Sequence, residues 1–282
     1  MTKTSNVISL LSAGALVGLT SVSALGATVV SPGSMGDWAF NNRDVNVIVG
    51  AEPTAIGWMV NGPATPPLGT GSANLATGNG TTGGDGSSEL RNTGYAGTLL
   101  SSLTTLSYST YMTQNNGQQF PYFGLVISTT GGATADNTIF FEPPYQTPGT
   151  GNPSLPDQGA TALNTWQTWD ALNGAWWDNN GTCTGGTGVD SLAACLGADF
   201  ATATIVNAAN GLGGVRFNVG FASANDQFNG YVDNFTIGIN GANTTYDFEL
   251  TDVQVPEPAT LGLLGTAVAG MVAFARRRRS AR

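Results

Sequence analysis

The chain predicts an all-β fold, a two-sheet antiparallel β-sandwich of the jelly-roll kind, set between two terminal segments that serve transport rather than the fold. Three observations carry this expectation. Short runs rich in β-branched and aromatic residues recur between clusters of Gly, Pro, Asn, Asp and Ser, the punctuation of strands and turns. No long stretch has the periodicity of an amphipathic helix. Eight or more strand-like runs in a body of roughly 220 residues, joined by long connections, suit two packed sheets better than a small barrel, and a body of that size is read as one domain.

In chain order, Lys3 precedes an apolar, small-residue run that ends in the small-x-small pattern Ala24-Leu25-Gly26. Residues 1–27 therefore read as a cleavable secretory signal, with the mature chain starting near Ala27 or Thr28. The body, 28–254, offers candidate strands at 45–49, 56–60, 103–113, 122–129, 138–142, 214–221, 230–239 and 245–250. Two of these alternate cleanly. In 230–239, Tyr231, Asp233, Phe235, Ile237 and Ile239 fall on one face at the strand period of two. In 214–221, Val215, Phe217, Val219 and Phe221 alternate with Arg216, Asn218 and Gly220, and the two runs read as neighbours across the loop between them. Residues 66–88 and 143–159 read as long loops, the first enclosing a strand-like 72–77. One short helix is expected at 191–196, with Asp190 as its cap.

The composition excludes many function classes. The chain has no histidine, so a Ser-His-Asp triad, a Cys-His pair and any His-ligated metal are out of reach. Between Thr28 and Val255 three arginines, Arg43, Arg91 and Arg216, stand against 17 acids, a net of −14. A field of that sign repels phosphate backbones, so nucleic acid is not an expected partner. Cys183 and Cys195 flank a Gly-rich loop and, in an exported chain, are expected to form a disulfide.

At the other end Pro256 and Pro258 bracket Glu257, fixing an extended backbone. Residues 259–275 are 17 uncharged residues, about 25 Å of helix and just long enough to span a membrane. Arg276, Arg277, Arg278 and Arg279 then hold the end of the chain in the cytoplasm and leave the body outside. Pro256-Glu257-Pro258, the apolar helix with Gly262, Gly265 and Gly270, and the Arg cluster together resemble the tripartite PEP-CTERM signal, residues 255–282. That resemblance implies a bacterial protein, handled by the export machinery and then by a membrane-embedded exosortase-type enzyme that removes the tail, in Gram-negative bacteria that make exopolysaccharide. The body resembles concanavalin-A-like sandwich domains of secreted bacterial proteins in Ser72-Ala73-Asn74-Leu75, in residues 103–108, in Tyr231-Val232-Asp233-Asn234-Phe235 and in Tyr246-Asp247-Phe248-Glu249. This second resemblance implies a fold and transfers no active residue.

Four of the six tryptophans, Trp166, Trp169, Trp176 and Trp177, are clustered in sequence. They either fill the core or, one of each pair, face outward as a platform on which sugar rings stack. Asp226, Asp233, Asp247 and Glu249 are candidate oxygen ligands for calcium if loops bring them together, and equally read as solvated or turn-capping acids; no other cofactor is expected. A glycosidase needs two carboxylates flanking one bond. Glu52, Glu89, Glu142 and Glu249 are scattered, and no E-x-D-x-x-E arrangement is present. The expectation is a non-enzymatic surface or matrix protein associated with exopolysaccharide; the alternatives are a lectin-like carbohydrate-binding module and a secreted polysaccharide hydrolase.

Overall fold

A computed structural model describes residues 26–42, 47–49, 57–77, 87–220 and 227–251, all within one compact unit, Gly26–Pro256. Residues 1–25 of the expected secretory signal, Asp226, Pro256, Glu257, Pro258, the span expected at 259–275 and the Arg cluster lie outside the described residues.

The described strands are β1 (Thr28–Val30), β2 (Trp38–Asn42), β3 (Val47–Val49), β4 (Gly57–Asn61), β5 (Gly71–Ala76), β6 (Ser87–Asn92), β7 (Leu103–Gln114), β8 (Tyr122–Ser128) and β9 (Asn137–Phe141). After a Pro-rich stretch come β10 (Gln167–Asp170), β11 (Trp176–Asp178), β12 (Thr204–Ile205), β13 (Val215–Gly220), β14 (Asn229–Ile239) and β15 (Ala242–Phe248). One short helix, α1 (Leu192–Leu196), precedes β12. The chain is mostly β, in two sheets.

The first sheet is organised around β14. Strand β7 pairs with it from Asn229 to Ile239, while β5 pairs with its first half and β15 with its second. Strand β4 extends the sheet from β5, β10 from β7, and β1 lies parallel to β15, the one departure from the antiparallel expectation among the described pairs. The second sheet runs β11-β9-β8-β13-β6-β2-β3, with β12 also on β8. The inner faces of the two sheets meet through aromatic rings. Phe217 of β13 meets Phe235 of β14 edge-on at 5.1 Å, and Tyr108 of β7 lies 5.2 Å from Phe217 and 5.9 Å from Phe123 of β8. Each buried aromatic of this size withdraws a large apolar area from water.

Strands β13 and β14 are not neighbours. β13 pairs with β6 and β8 in the second sheet, and β14 lies in the first. The alternation expected in β14 also breaks. Asp233 opposes Ser109 and Thr236 opposes Ser107, so three steps on β14 match two on β7, and Asn234 sits at φ 52°. This β-bulge flips the phase: Val232, Phe235 and Ile237 are buried on the core side, and Asp233 leaves the face of Phe235. Helix α1 is capped one residue later than expected. Ser191 Oγ accepts from Ala194 N at 3.2 Å, while Asp190 Oδ1 accepts from Ser191 N at 2.8 Å. Cys183 and Cys195 form the expected disulfide, closing the loop between β11 and α1.

Candidate functional site

The outer face of the second sheet carries an arrangement that no single segment announces. Residues directly opposed across a ladder share a face. The registers place Asn41, Glu89, Asn218 and Tyr122 side by side on four strands. One step along, Arg91, Arg216, Gly124, Phe140 and Trp177 form a second row reaching the edge strand β11.

Glu89 is the centre of the first row and is fully buried. Its carboxylate accepts from Asn41 Nδ2 at 3.0 Å, Arg216 Nη1 at 3.3 Å, and also from Arg91 Nε and Asn218 Nδ2. Burial works to raise its pKa, but the Arg91 and Arg216 charges and the hydrogen bonds from Arg91 and Asn41 outweigh it and hold the carboxyl below its ordinary value. Two of the three arginines in the body are thus committed to one acid. A buried charge is tolerated only when paired and hydrogen-bonded in this way.

Arg216 continues the row. Its guanidinium lies 4.8 Å from the centroid of Phe140, and Phe140 stacks on Trp177 at 4.4 Å with 23° between the planes. Gly124 makes this reach possible: a Cβ there would lie 2.9 Å from Arg216 Nε and 3.3 Å from Phe140.

Beside Trp177 opens a cleft of about 750 Å³ between the β7–β8 turn and the segment after β9. Glu142, the residue after β9, continues the row of Tyr122 and lines the cleft with Trp177, Gln118, Gln119, Tyr145 and Thr161. Burial lifts the Glu142 carboxyl to about 7, while the Trp177 indole pulls it back. Trp177 Nε1 lies close enough for that influence yet falls short of hydrogen-bond geometry, so this buried N–H has no partner, and neither does Gln119 Oε1. Burial also raises the Tyr145 phenol, with the Glu142 charge adding to it.

The four clustered tryptophans separate. Trp169 and Trp176 are fully buried, their indoles donating to Thr110 Oγ1 and to the Ala171 carbonyl, each at 2.8 Å. Neither can serve as a glycan platform, because the period of two turns these rings into the core. Trp166 is half-buried on the first sheet, donates to the Pro63 carbonyl at 2.9 Å and rests 5.5 Å from Tyr111. Trp177, half-buried on the second sheet, is the one of the four that lines the cleft.

The structure does bring Asp233, Asp247 and Glu249 together, around the 62–70 loop. Asp233 accepts from Leu68 N at 3.0 Å and Phe248 N at 3.2 Å, and Glu249 from Thr70 N at 2.6 Å and Thr70 Oγ1 at 3.3 Å. Gly69, at φ 50°, passes so close to the Glu249 carboxylate that any side chain would collide with it. Burial raises Asp233 to about 8, against the hydrogen bonds it accepts, and raises Asp247 to about 6, with the Glu249 charge adding to it. Among the described residues no three His, Cys, Asp or Glu side chains are grouped so as to hold a metal ion.

Sequence reasoning missed the Glu89 row and Glu142. The available signal was the alternation Ser-Glu-Leu-Arg-Asn in β6 and Val-Arg-Phe-Asn-Val in β13, where charges interrupt strands otherwise built for the core.

Residues 254–279 match the profile of the PEP-CTERM protein-sorting motif. The chain carries a PEP-CTERM sorting tail. A PEP-CTERM tail marks a protein that is exported, anchored in the membrane before processing by an exosortase-type system, and then placed at the surface or outside the cell. No characterised protein and no solved structure matches the chain. Among the described residues no helix is long and apolar enough to cross a membrane, and the span expected at 259–275 lies outside them.

Proposed function

We propose that the protein is a non-enzymatic surface or matrix component whose body, a two-sheet sandwich, associates with extracellular polysaccharide once the PEP-CTERM tail has been processed. The observation that carries this reading is the cleft at Trp177, whose described lining is mainly aromatic, amide and hydroxyl side chains with one carboxylate, Glu142. Such a lining supplies a stacking surface and hydrogen bonds to hydroxyls. Acid-catalysed glycoside cleavage uses two carboxylates about one bond, so one acid in the cleft favours binding over hydrolysis.

The test is cosedimentation of the full chain, in a detergent without a sugar headgroup, with exopolysaccharide of its own host. Saturable binding with no release of reducing sugar is the expected result. Absence of binding overturns polymer association, and release of reducing ends overturns the non-enzymatic role.

A further inference from the structure

Resting on that reading and deepening it, we propose that the cleft bounded by Trp177 and the β7–β8 turn takes uncharged, hydroxyl-rich hexose units and rejects carboxylated sugars, and that Glu142 makes the selection.

Among the described residues no arginine or lysine lines the cleft, so an anionic sugar entering it meets no counter-charge from them. It finds Glu142 instead, and beyond the cleft a body with a net charge of −14 between Thr28 and Val255. Two carboxylates brought together in a partly desolvated site repel one another, and one of them must take up a proton to stay. A neutral hexose pays no such penalty. Its hydroxyls donate to the Glu142 carboxylate, the polar group of the lining that accepts most strongly.

The remaining chemistry also fits a hydroxyl. Trp177 Nε1 lies near the Glu142 carboxylate without completing a hydrogen bond to it, and Gln119 Oε1 is a buried acceptor without a donor among the described residues. A hydroxyl donates and accepts at once, so it is the smallest single group that answers either atom. The rim supplies further neutral partners in Gln118, Tyr145 and Thr161. Trp177 is braced from behind: Phe140 stacks on it, and the Arg216 guanidinium holds Phe140 on its other flank. A ring fixed in this way loses little freedom when a sugar's C–H face packs on it.

Affinities are measured by calorimetry on the full chain in a non-glycosidic detergent. The probes are neutral gluco-, manno- and galacto-oligosaccharides and oligogalacturonate, at about pH 8, where Glu142 is ionised. At least one neutral series binds, and oligogalacturonate binds about tenfold more weakly or less. Trp177→Ala lowers the neutral affinity by about tenfold; if that variant fails to fold, Trp177→Phe, which keeps an apolar ring and removes the N–H, lowers it by a smaller factor. Glu142→Gln, which keeps an acceptor and removes the charge, narrows the gap between neutral and acidic ligands. Equal or tighter binding of the uronate, or a gap unchanged in Glu142→Gln, overturns the proposal. Host polymer that binds equally well to the Trp177 and Glu142 variants removes the cleft assignment and leaves polysaccharide association standing. Neutral oligosaccharides that bind while host polymer does not remove the association and leave the cleft assignment standing.

Discussion

At the scale of single residues, Asp233 shows how burial raises a carboxyl above its ordinary range even where backbone N–H groups donate to it. Its folded pKa of about 8 lies above the ordinary 3.8, and Asp247 and Glu142 are raised in the same sense to about 6 and about 7. The native state therefore holds protons that the unfolded chain has already released near pH 4. The stability these groups supply is complete below their unfolded values and is lost as pH climbs through their folded ones. Glu89 and Asp178, whose pKa values are lowered, act in the opposite sense, and only on the acid side of their ordinary values. Across pH 5 to 8.5 the raised group of three decides the sign. The thermal midpoint should fall over that window, and Asp233→Asn, which cannot ionise, should flatten the fall and raise the midpoint at the alkaline end. An unchanged slope in Asp233→Asn would show that the carboxyl ionises freely in the fold. Chelator should leave the midpoint where it is, since the acids around the 62–70 loop are not grouped about one point; a drop on chelation would return calcium to Asp233, Asp247 and Glu249.

At the scale of elements, the pattern of two was readable and the partnerships were not. Strands β7, β8, β9 and β13 sit where alternation and turn residues put them, because those signals are local, while β15 begins three residues earlier than expected. β5 falls on the strand-like 72–77 inside the Gly, Ser and Thr-rich stretch, whereas β6, which begins at the end of that stretch, was not anticipated; its place comes from β2 and β13, which supply its hydrogen bonds. The β14 bulge could not be read because Asn234 must leave the extended region to let Asp233 reach Leu68 and Phe248, a demand set by another part of the chain. The β11–α1 segment is different, because a covalent link holds it. Cutting the Cys183–Cys195 bridge in a Cys183→Ser/Cys195→Ser variant should cost about 3 kcal/mol, by loosening the unfolded chain over a 12-residue separation. That corresponds to a drop of roughly 6–12 °C in midpoint by calorimetry. A drop much smaller than this would mean that Trp176 and its neighbours hold the segment without the bridge.

At the scale of the whole molecule, destination was legible and the site was not. The PEP-CTERM tail is a linear signal in which Pro256, Glu257, Pro258, an apolar run and the arginines follow one another, so sequence is sufficient to find it. The Glu89 row needs four strands in register, and the cleft needs the β7–β8 turn beside the segment after β9, so both exist only in the assembled fold. Replacing Pro256, Glu257 and Pro258 by Ala should leave the body folded and keep it in the membrane fraction, read by fractionation and immunoblot. Release into the medium at the unaltered rate would show that these three residues are not what the sorting enzyme recognises.

The way the body spends its few arginines bears on survival outside the cell. No lysine lies between Thr28 and Val255, and Arg91 and Arg216 are each about 95% withdrawn from solvent against Glu89. Proteases that cut after basic residues need an exposed, pliable chain around such a residue. The folded body offers them no lysine and keeps two arginines inside a hydrogen-bonded sheet. In surroundings rich in secreted hydrolases, the same ion pairs that organise the sheet face also deny these enzymes most of their cleavage points.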